Sequence, residues 1–242
     1  MRPIYFLSDV HFGSGNEEAA KQRRIRSFFQ HVCKTGQALY IVGDYFDFWF
    51  EYRHAIPKSC LAGYHELLLL KDSGVDIHYL LGNHDQWALD LFERDLGATV
   101  YRSPTTIRLF GLQIHLHHGD GVSSLDRRYR LLKRLFHNPL SRTFYRWIHP
   151  DVGLPVGRRF SDHSKNKDLH FDKYRDDDSI DPWLQEQFAC GIDVVVMGHH
   201  HLPIQKSFGN HQYINLGDWV RHASYLEVSE GLVELKFWQE EL

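Results

Sequence analysis

Five short polar motifs, each placed directly after a predicted strand, constrain this chain more than any other feature of its sequence. The strands are predicted at residues 3–8, 38–42, 77–81, 112–117 and 193–197. The motifs are Asp9-Val10-His11, Gly43-Asp44-Tyr45-Phe46-Asp47, Gly82-Asn83-His84-Asp85, His118-Gly119-Asp120 and Gly198-His199-His200-His201. Because the carboxyl ends of strands collect at one edge of an α/β sheet, the five motifs can deliver Asp, Asn and His side chains to one place.

The rest of the chain alternates helix and strand signals at first and then shows neighbouring strands. Helices are predicted at residues 16–33, 59–73 and 86–96, and further strands at 106–110, 212–216, 224–228 and 232–238. This order predicts an α/β layered core. Residues 121–182 lack clear strand signals, so we interpret them as a helical insertion within a single domain of residues 1–242.

The motifs contain a set of candidate metal ligands, namely Asp9, His11, Asp44, Asn83, His118, His199 and His201. Carboxylate and amide oxygens mixed with imidazole nitrogens suit Mn²⁺, Fe or Zn²⁺. The total of 18 histidines also points towards metal or proton chemistry. The set is too large for one four-coordinate ion, whereas two ions roughly 3.5–4 Å apart would use it and would suit the cleavage of phosphate esters.

Together the patterns D-x-H, G-D-x-x-D, G-N-H-D, H-G-D and G-H-x-H resemble those of the calcineurin-like metallophosphoesterase superfamily, over residues 3–120 and 193–218. The resemblance implies a sandwich of two mixed β-sheets flanked by helices, with the site at one edge. It implies two divalent ions, with Mn²⁺ as the first choice and Fe or Zn²⁺ as alternatives. Asp9, His11, Asp44 and His201 would hold the first ion, and Asp44, Asn83, His118 and His199 the second.

Two further residues receive roles beside these ligands. His84 follows the ligand Asn83, so its imidazole can hydrogen-bond a phosphoryl oxygen or protonate the leaving group. Asp47 lies three residues after the bridging Asp44. In the family that this chain resembles, the aspartate at the position of Asp47 is the orienting partner of the histidine at the position of His84. A buried carboxylate there would keep the imidazole protonated to higher pH.

The insertion has an unusual charge pattern. Residues 127–159 hold nine basic residues against one acid, Asp151, with apolar side chains at helical spacing. Three interpretations stay open: an amphipathic surface that rests on anionic lipid and holds acyl chains, a surface for a nucleic-acid backbone, or a solvated helical hairpin packed on the core. The net charge of −3 gives no overall basic field, so we expect no nucleic-acid partner.

Four stretches carry a further resemblance within the superfamily: His118-Gly119-Asp120-Gly121 through Asp126 and Tyr129, His149-Pro150, Arg159-Phe160-Ser161-Asp162-His163-Ser164, and Leu216-Gly217-Asp218-Trp219. They are similar to stretches of the UDP-2,3-diacylglucosamine diphosphatases of lipid A biosynthesis, which carry a helical cap after H-G-D. The resemblance implies hydrolysis of UDP-2,3-diacylglucosamine to UMP and the lipid 1-phosphate, with Asn83, His84, Asp126, Ser161 and Ser164 in contact with the substrate. The best-known members read G-N-R-D, whereas this chain has His84, as general phosphodiesterases do. A general phosphodiesterase or nucleotide hydrolase is therefore the alternative, and a non-catalytic scaffold of the same fold is a third hypothesis.

The cellular setting is predicted from three features. The three cysteines form no C-x-x-C pair, which fits a reducing compartment. The first nine residues reach a carboxylate too early for a secretory signal, and no segment has the run of apolar residues of a membrane span. We expect a cytoplasmic protein with peripheral contact to the inner membrane; the oligomeric state stays open.

Overall fold

The computed structural model describes residues 2–15, 18–123, 138–168 and 178–239, with the backbone alone at 139 and 160–168. The strands are β1 (Ile4–Leu7), β2 (Ala38–Val42), β3 (Asp76–Leu80), β4 (Thr99–Tyr101), β5 (Thr105–Leu109), β6 (Leu112–His117), β7 (Val194–Met197), β8 (Pro203–Phe208), β9 (His211–Leu216), β10 (Ser224–Ser229) and β11 (Leu232–Phe237). The helices are α1 (Glu18–Thr35), α2 (Leu61–Asp72), α3 (Leu91–Leu96), α4 (Pro139–Arg146), α5 (Pro150–Asp168) and α6 (Asp181–Ala189).

The strands form two mixed sheets. The first has the order β11-β10-β1-β2-β3-β4, in which β1 to β4 are parallel and β10 and β11 are antiparallel to their neighbours. The second has the order β5-β6-β7-β9-β8, with β6, β7 and β9 parallel and the two edge strands antiparallel. Both parallel sets point their carboxyl ends towards the predicted motifs.

The two sheets pack face to face, and helices cover their outer faces. In β1, Ile4 and Phe6 belong to the core between the sheets, while Tyr5 and Leu7 face the layer of α1 to α3, because successive strand residues point to opposite sides. On the second sheet, α6 packs against the outer face of β7 and β9. The predicted fold class, two mixed sheets flanked by helices, is confirmed.

Several element boundaries differ from the prediction. The helix predicted over 86–96 begins only at Leu91. The three-residue strand β4 and the edge strand β8 were not predicted. Residues 16 and 17, where α1 was predicted to begin, lie outside the described residues, as do residues 127–137 of the basic stretch.

The described part of the insertion lies against the core. Asn138 caps α4 by accepting a hydrogen bond of 2.9 Å from the Leu140 N–H. A Cβ atom added to Gly157 of α5 would lie 2.1 Å from Cζ of Phe48, so α5 packs its glycine directly on the loop that follows Asp47. Within the described ranges, no helix is both long and apolar enough to cross a bilayer.

Candidate metal centre

The loops after β1, β2, β3, β6 and β7 meet at one edge of the sandwich, and the predicted ligands lie together there. Potential ligand atoms within 4.8 Å of one another form three overlapping groups: Asp9, His11 and His201; His11, Asp44 and His84; and Asp44, His118 and His199. The amide oxygen of Asn83 joins the last group, at 3.0 Å from Nε2 of His118. The structure therefore brings all of the predicted ligands to one site.

The first group converges on a single point. Nε2 of His11 and Nε2 of His201 are 3.2 Å apart, and Oδ1 of Asp9 lies 3.2 Å from the His201 atom and 3.6 Å from the His11 atom. Oδ1 of Asp9 is fully buried and makes no hydrogen bond of normal geometry. A buried carboxylate oxygen aimed at two imidazole nitrogens fits a divalent cation between them.

The second group is built around Asp44. Its Oδ2 lies 3.1 Å from Nε2 of His118 and 3.8 Å from Nε2 of His84. Asp44 also shares a group with His11, so it stands between the two halves of the site. A carboxylate in this position could bridge two divalent ions, and the donor set fits such a pair.

Contacts behind the ligands hold the imidazole rings in place. Nδ1 of His118 donates to the Val42 carbonyl at 2.9 Å, so Nε2 is the atom directed into the site. Nδ1 of His201 faces Oδ2 of Asp218 at 3.6 Å. Asp218 is 1 % exposed and accepts hydrogen bonds from the Arg221 and His222 N–H groups, which fix its carboxylate.

Asp218 is a site residue to which the sequence analysis gave no role. A signal for it exists, because it follows strand β9 in the same way that the predicted ligands follow their strands. Its side chain faces the ring of His201, seventeen residues earlier in the chain, and sequence alone does not reveal that pairing.

The backbone that carries the ligands is strained. The non-glycine residues with positive φ include Asp9 (54°), His11 (53°), Asp44 (55°), His199 (69°) and His201 (56°). Such conformations are costly for residues with a Cβ and cluster at functional sites. Neighbouring glycines allow close approach, since a Cβ at Gly82 would lie 2.2 Å from Oδ1 of Asp44.

Comparison with known proteins assigns the family. A family model described as calcineurin-like phosphoesterase matches residues 2–203, a range that includes every predicted ligand. The chain belongs to the calcineurin-like phosphoesterase family. This phosphoesterase is therefore a hydrolase of phosphate ester or anhydride bonds.

Individual relatives agree with this family. The chain is 35% identical over 241 residues to the UDP-2,3-diacylglucosamine hydrolase of Porphyromonas gingivalis, covering 92% of each chain. It is 28% identical to the protein of the same name from Pseudomonas fluorescens, covering 94% of this chain and 91% of that one. A solved archaeal phosphodiesterase matches with a TM-score of 0.50 at 12% identity, covering 98% and 99% of the two chains, which shows the shared fold alone.

In the phosphoesterase site, burial and neighbouring charges shift the pKa values of Asp9 and His201 in opposite directions. Burial would raise the pKa of Asp9, but the histidines around it, His201 first, hold that pKa well below its usual range. Burial would lower the pKa of His201, but Asp9 and Asp218 raise it to about 9. For His199, burial and the neighbouring His118 both lower the pKa. The Asp9 carboxylate is thus held ionised, as a metal ligand must be.

His84 is fixed at two points next to Asp44. Its backbone N–H donates to Oδ1 of Asp44 at 2.8 Å, and its Nδ1 is 2.5 Å from the backbone carbonyl of Asp47. The prediction assigned the orienting role to the Asp47 carboxylate, but the 2.5 Å contact is with the carbonyl. The Asp47 carboxylate faces another histidine, with Oδ1 at 3.6 Å from Nδ1 of His11.

Asp85 anchors the loop that carries Asn83 and His84. It accepts hydrogen bonds from the Gly82 and Tyr45 N–H groups at 2.7 and 3.1 Å and from the Tyr79 hydroxyl at 2.6 Å. Burial, together with the charge of Asp44, raises the pKa of Asp85 to about 7.

The other predicted residues lie elsewhere. His115 and His117 lie on the opposite face of the second sheet from His118, where both rings pack near Trp183. His200 is buried but belongs to none of the three ligand groups. Asp126 and the side chains of Ser161 and Ser164 lie outside the described residues.

Proposed function

We propose that this phosphoesterase uses two divalent ions to hydrolyse the diphosphate of UDP-2,3-diacylglucosamine, releasing UMP and 2,3-diacylglucosamine 1-phosphate. The observation that carries the substrate is the 35% identity to the P. gingivalis hydrolase, which extends over 92% of both chains and so includes the insertion. We treat residues 121–182 as a cap within one domain, 1–242.

The ligand sets proposed for the ions follow the two halves of the site. Asp9, His11, Asp44 and His201 would hold one ion, and Asp44, Asn83, His118 and His199 the other. Mn²⁺ is our first choice, with Fe and Zn²⁺ as alternatives that the same donors accept. When bound, such a pair supplies hydroxide near neutral pH and offsets the negative charge of the phosphoryl oxygens.

His84 is our candidate for contact with the reacting phosphate. Because its Nδ1 donates to the Asp47 carbonyl, its Nε2 is the ring atom left to face the site, 3.8 Å from Oδ2 of Asp44. When the ring is protonated, Nε2 can donate to a phosphoryl oxygen or to the leaving phosphate. Asp47 is thus proposed as a positioning residue, acting through its backbone on His84 and through its carboxylate on His11.

The acyl chains of the proposed substrate need apolar surface, and the interface between cap and core provides it. Phe48, Phe50 and Tyr52 form a buried cluster with Trp87, Tyr145 and Leu154. A cavity of about 760 Å³ lies beside the cluster; Tyr52, Ile56 and Leu91 form an apolar part of its wall, and the rest of the wall includes the charged residues Glu51, Arg53, Asp90, Arg94 and Arg146. Burial of methylene groups there is favourable by ~0.8 kcal/mol each, which gives a reason for preferring acylated substrate.

The outer face of the cap is proposed to rest on the cytoplasmic surface of the inner membrane. Leu140, Phe144 and Trp147 are 67%, 73% and 86% exposed, on and just after α4. The surrounding sequence is strongly basic, which favours anionic lipid. Co-sedimentation with phosphatidylglycerol vesicles tests this: the double variant Phe144→Ser/Trp147→Ser should lose binding, whereas Phe237→Ser, also an exposed aromatic, should keep it.

The proposed reaction is tested by incubating the Mn²⁺-loaded protein with UDP-2,3-diacylglucosamine and following UMP release, with UDP-glucosamine and a simple phosphodiester as controls. Rapid release from the acylated substrate alone is the expected result. Equal slow cleavage of all three would favour the general phosphodiesterase, the alternative that His84 keeps open. Absence of bound metal and of any cleavage would favour a non-catalytic scaffold.

A further inference from the structure

A buried lysine of helix α1 contacts the His11 loop, which is formed by residues 9–15 between β1 and α1. The Lys21 side chain is only 5% exposed, and its ammonium donates to the backbone carbonyl of His11 at 2.6 Å. It also donates to Oγ of Ser14 at 3.0 Å, and the carboxylate of Glu18 lies 3.6 Å away. The ammonium therefore contacts the loop of a proposed metal ligand through the backbone of that loop.

An apolar side chain is expected at the position of Lys21. Buried apolar residues of α1 recur at Ile25, Phe28 and Val32. The same helical spacing, extended towards the start of the helix, reaches Lys21. Its Nζ lies 5.6 Å from the centre of the Phe12 ring, so part of its surroundings is aromatic. A buried charge is unfavourable unless it is paired, and a residue that breaks the local pattern is expected where it has a function.

The backbone of His11 needs such a partner because it is strained. Its φ of 53° is left-handed, a conformation that persists in a non-glycine residue only where the surroundings fix it. The His11 N–H donates to the Asp44 carbonyl at 3.1 Å, and the His11 carbonyl accepts from Lys21. The second bond is the stronger one because its donor is charged. With the backbone fixed, Nε2 of the His11 imidazole is held 3.2 Å from Nε2 of His201.

The rest of the His11 loop is held by neighbouring charges. The N–H of Gly13 donates to Oε1 of Glu18 at 2.9 Å, so Glu18 links this residue to the Lys21 ammonium. The Gly13 carbonyl accepts from the guanidinium of Arg158, on the cap helix α5, at 2.7 Å. These contacts are made with the loop after β1, so they act on the first ligand group.

We propose that Lys21 is a positioning residue for the ion at the first ligand group. Its ammonium fixes the left-handed backbone of His11 and thereby aims the imidazole at that ion. The inference rests on the proposed two-ion centre and deepens it, because it names a residue outside the ligand set that controls one of the two ions. Loss of the ammonium should release the loop, weaken the binding of the first ion and leave the second in place.

Lys21→Met tests this role, because methionine keeps an unbranched apolar side chain and removes the ammonium. Mn²⁺ is titrated calorimetrically into the metal-free protein, and the wild type should take up two ions. Lys21→Met should bind one of them about 10–100-fold more weakly, the usual loss when the partner behind a metal ligand is removed. Lys21→Gln, which has a neutral donor on a shorter side chain, should show the same kind of loss and replaces the methionine variant if that variant does not fold.

Arg26→Met is the matched control on the same helix. It breaks the ion pair between Arg26 and the buried Glu66 of α2, in which Nη2 and Oε1 are 2.7 Å apart. Both variants should melt below the wild type, whereas Arg26→Met should bind both ions normally. Hydrogen exchange of residues 9–15 in the metal-free protein gives a second readout. The exchange should be faster in Lys21→Met and unchanged in Arg26→Met.

A double-mutant cycle with His11→Ala shows which ion is affected. If Lys21 acts through the imidazole of His11, Lys21→Met should have little further effect on metal binding once that imidazole is absent. Additive losses would overturn the proposal. Wild-type affinity for both ions in Lys21→Met would overturn it too, as would weakening of both ions to the same extent.

Failure of this inference and failure of the proposed function give different results. If the wild type binds two ions and hydrolyses UDP-2,3-diacylglucosamine while Lys21→Met keeps both ions, only the role of Lys21 is wrong. If Lys21→Met loses one ion but the wild type does not hydrolyse that substrate, the positioning role stands and the proposed substrate is wrong. A wild type that binds one ion or none contradicts the two-ion centre and the inference together.

Discussion

Adding one methyl group at Gly82 should empty the metal centre. A Cβ at this position would lie 2.2 Å from Oδ1 of Asp44 and 2.7 Å from its backbone nitrogen, so either the Asp44 carboxylate or the backbone must move. The φ angle of Gly82 is not positive, so alanine carries no backbone penalty there and the collision is the whole perturbation. Because Asp44 belongs to ligand groups on both sides of the site, Gly82→Ala should weaken the binding of both ions.

The expected cost in stability follows from the same geometry. Inserting a methyl group into a tightly packed site costs about 1–3 kcal/mol. For a chain of this size, each kcal/mol lowers the melting temperature by about 2–4 °C. Gly74→Ala is the control, because it should lower the stability by a similar amount for a different reason. The φ of +84° at this position is strained for alanine, while nothing lies within 4 Å of the added Cβ.

The assay compares metal content after dialysis, melting temperature and phosphodiester hydrolysis in the two variants. Both should melt below the wild type, and only Gly82→Ala should lose metal and activity. Gly198→Ala should act more locally, because its Cβ would lie 2.5 Å from Oδ2 of Asp9, which belongs only to the first group. Retention of two tightly bound ions by Gly82→Ala would refute the central position assigned to Asp44.

The remaining predictions concern single side chains. His84→Ala should keep both ions, since His84 is not a proposed ligand, yet lose about 10²–10⁴-fold in turnover; near-normal rates would show that it has no acid or hydrogen-bonding role. Asp44→Ala should abolish two-metal occupancy, measured as metal per chain, and a full complement would contradict the bridging role. Burial lowers the pKa of His78, so below about pH 6.5 the unfolded chain takes up a proton that the folded chain resists, and stability falls as the pH drops. His78→Phe should reduce this fall in denaturant titrations between pH 5 and 8, and an unchanged pH dependence of stability would contradict it.

The arrangement of the site could be predicted from sequence because residues that directly follow parallel strands meet at one edge of the sheet. Buried strands are recognisable from their apolar residues, and polar residues directly after them reach the same edge whatever the details of packing. Asp9, Asp44 and His118 obey this rule, so their convergence could be predicted. The mixed sheet order, in contrast, was implied by the resemblance of the motifs to a known family, as was the interpretation of the predicted insertion as a cap.

The start of α3 shows what sequence could not supply. Apolar spacing predicted a helix from Gln86, but the Glu51 carboxylate accepts hydrogen bonds from the Leu89 and Asp90 N–H groups at 2.7 and 3.4 Å. The carbonyl of Leu89 accepts from the guanidinium of Arg102. These partners satisfy backbone groups that a helix would otherwise pair, and they come from distant parts of the chain. Local propensity contains no information about them.

The positive φ angles at the ligand positions have a consequence for variants that lose a ligand. Each holds Asp or His in a conformation that costs of the order of 1 kcal/mol and that glycine adopts freely. Replacing such a ligand by glycine would therefore remove catalytic function and backbone strain in the same step. At each ligand position, this relief of strain offsets part of the stability that is lost with the hydrogen bonds and packing of the buried side chain. Loss of a ligand therefore costs the fold less than the burial of the side chain alone would suggest.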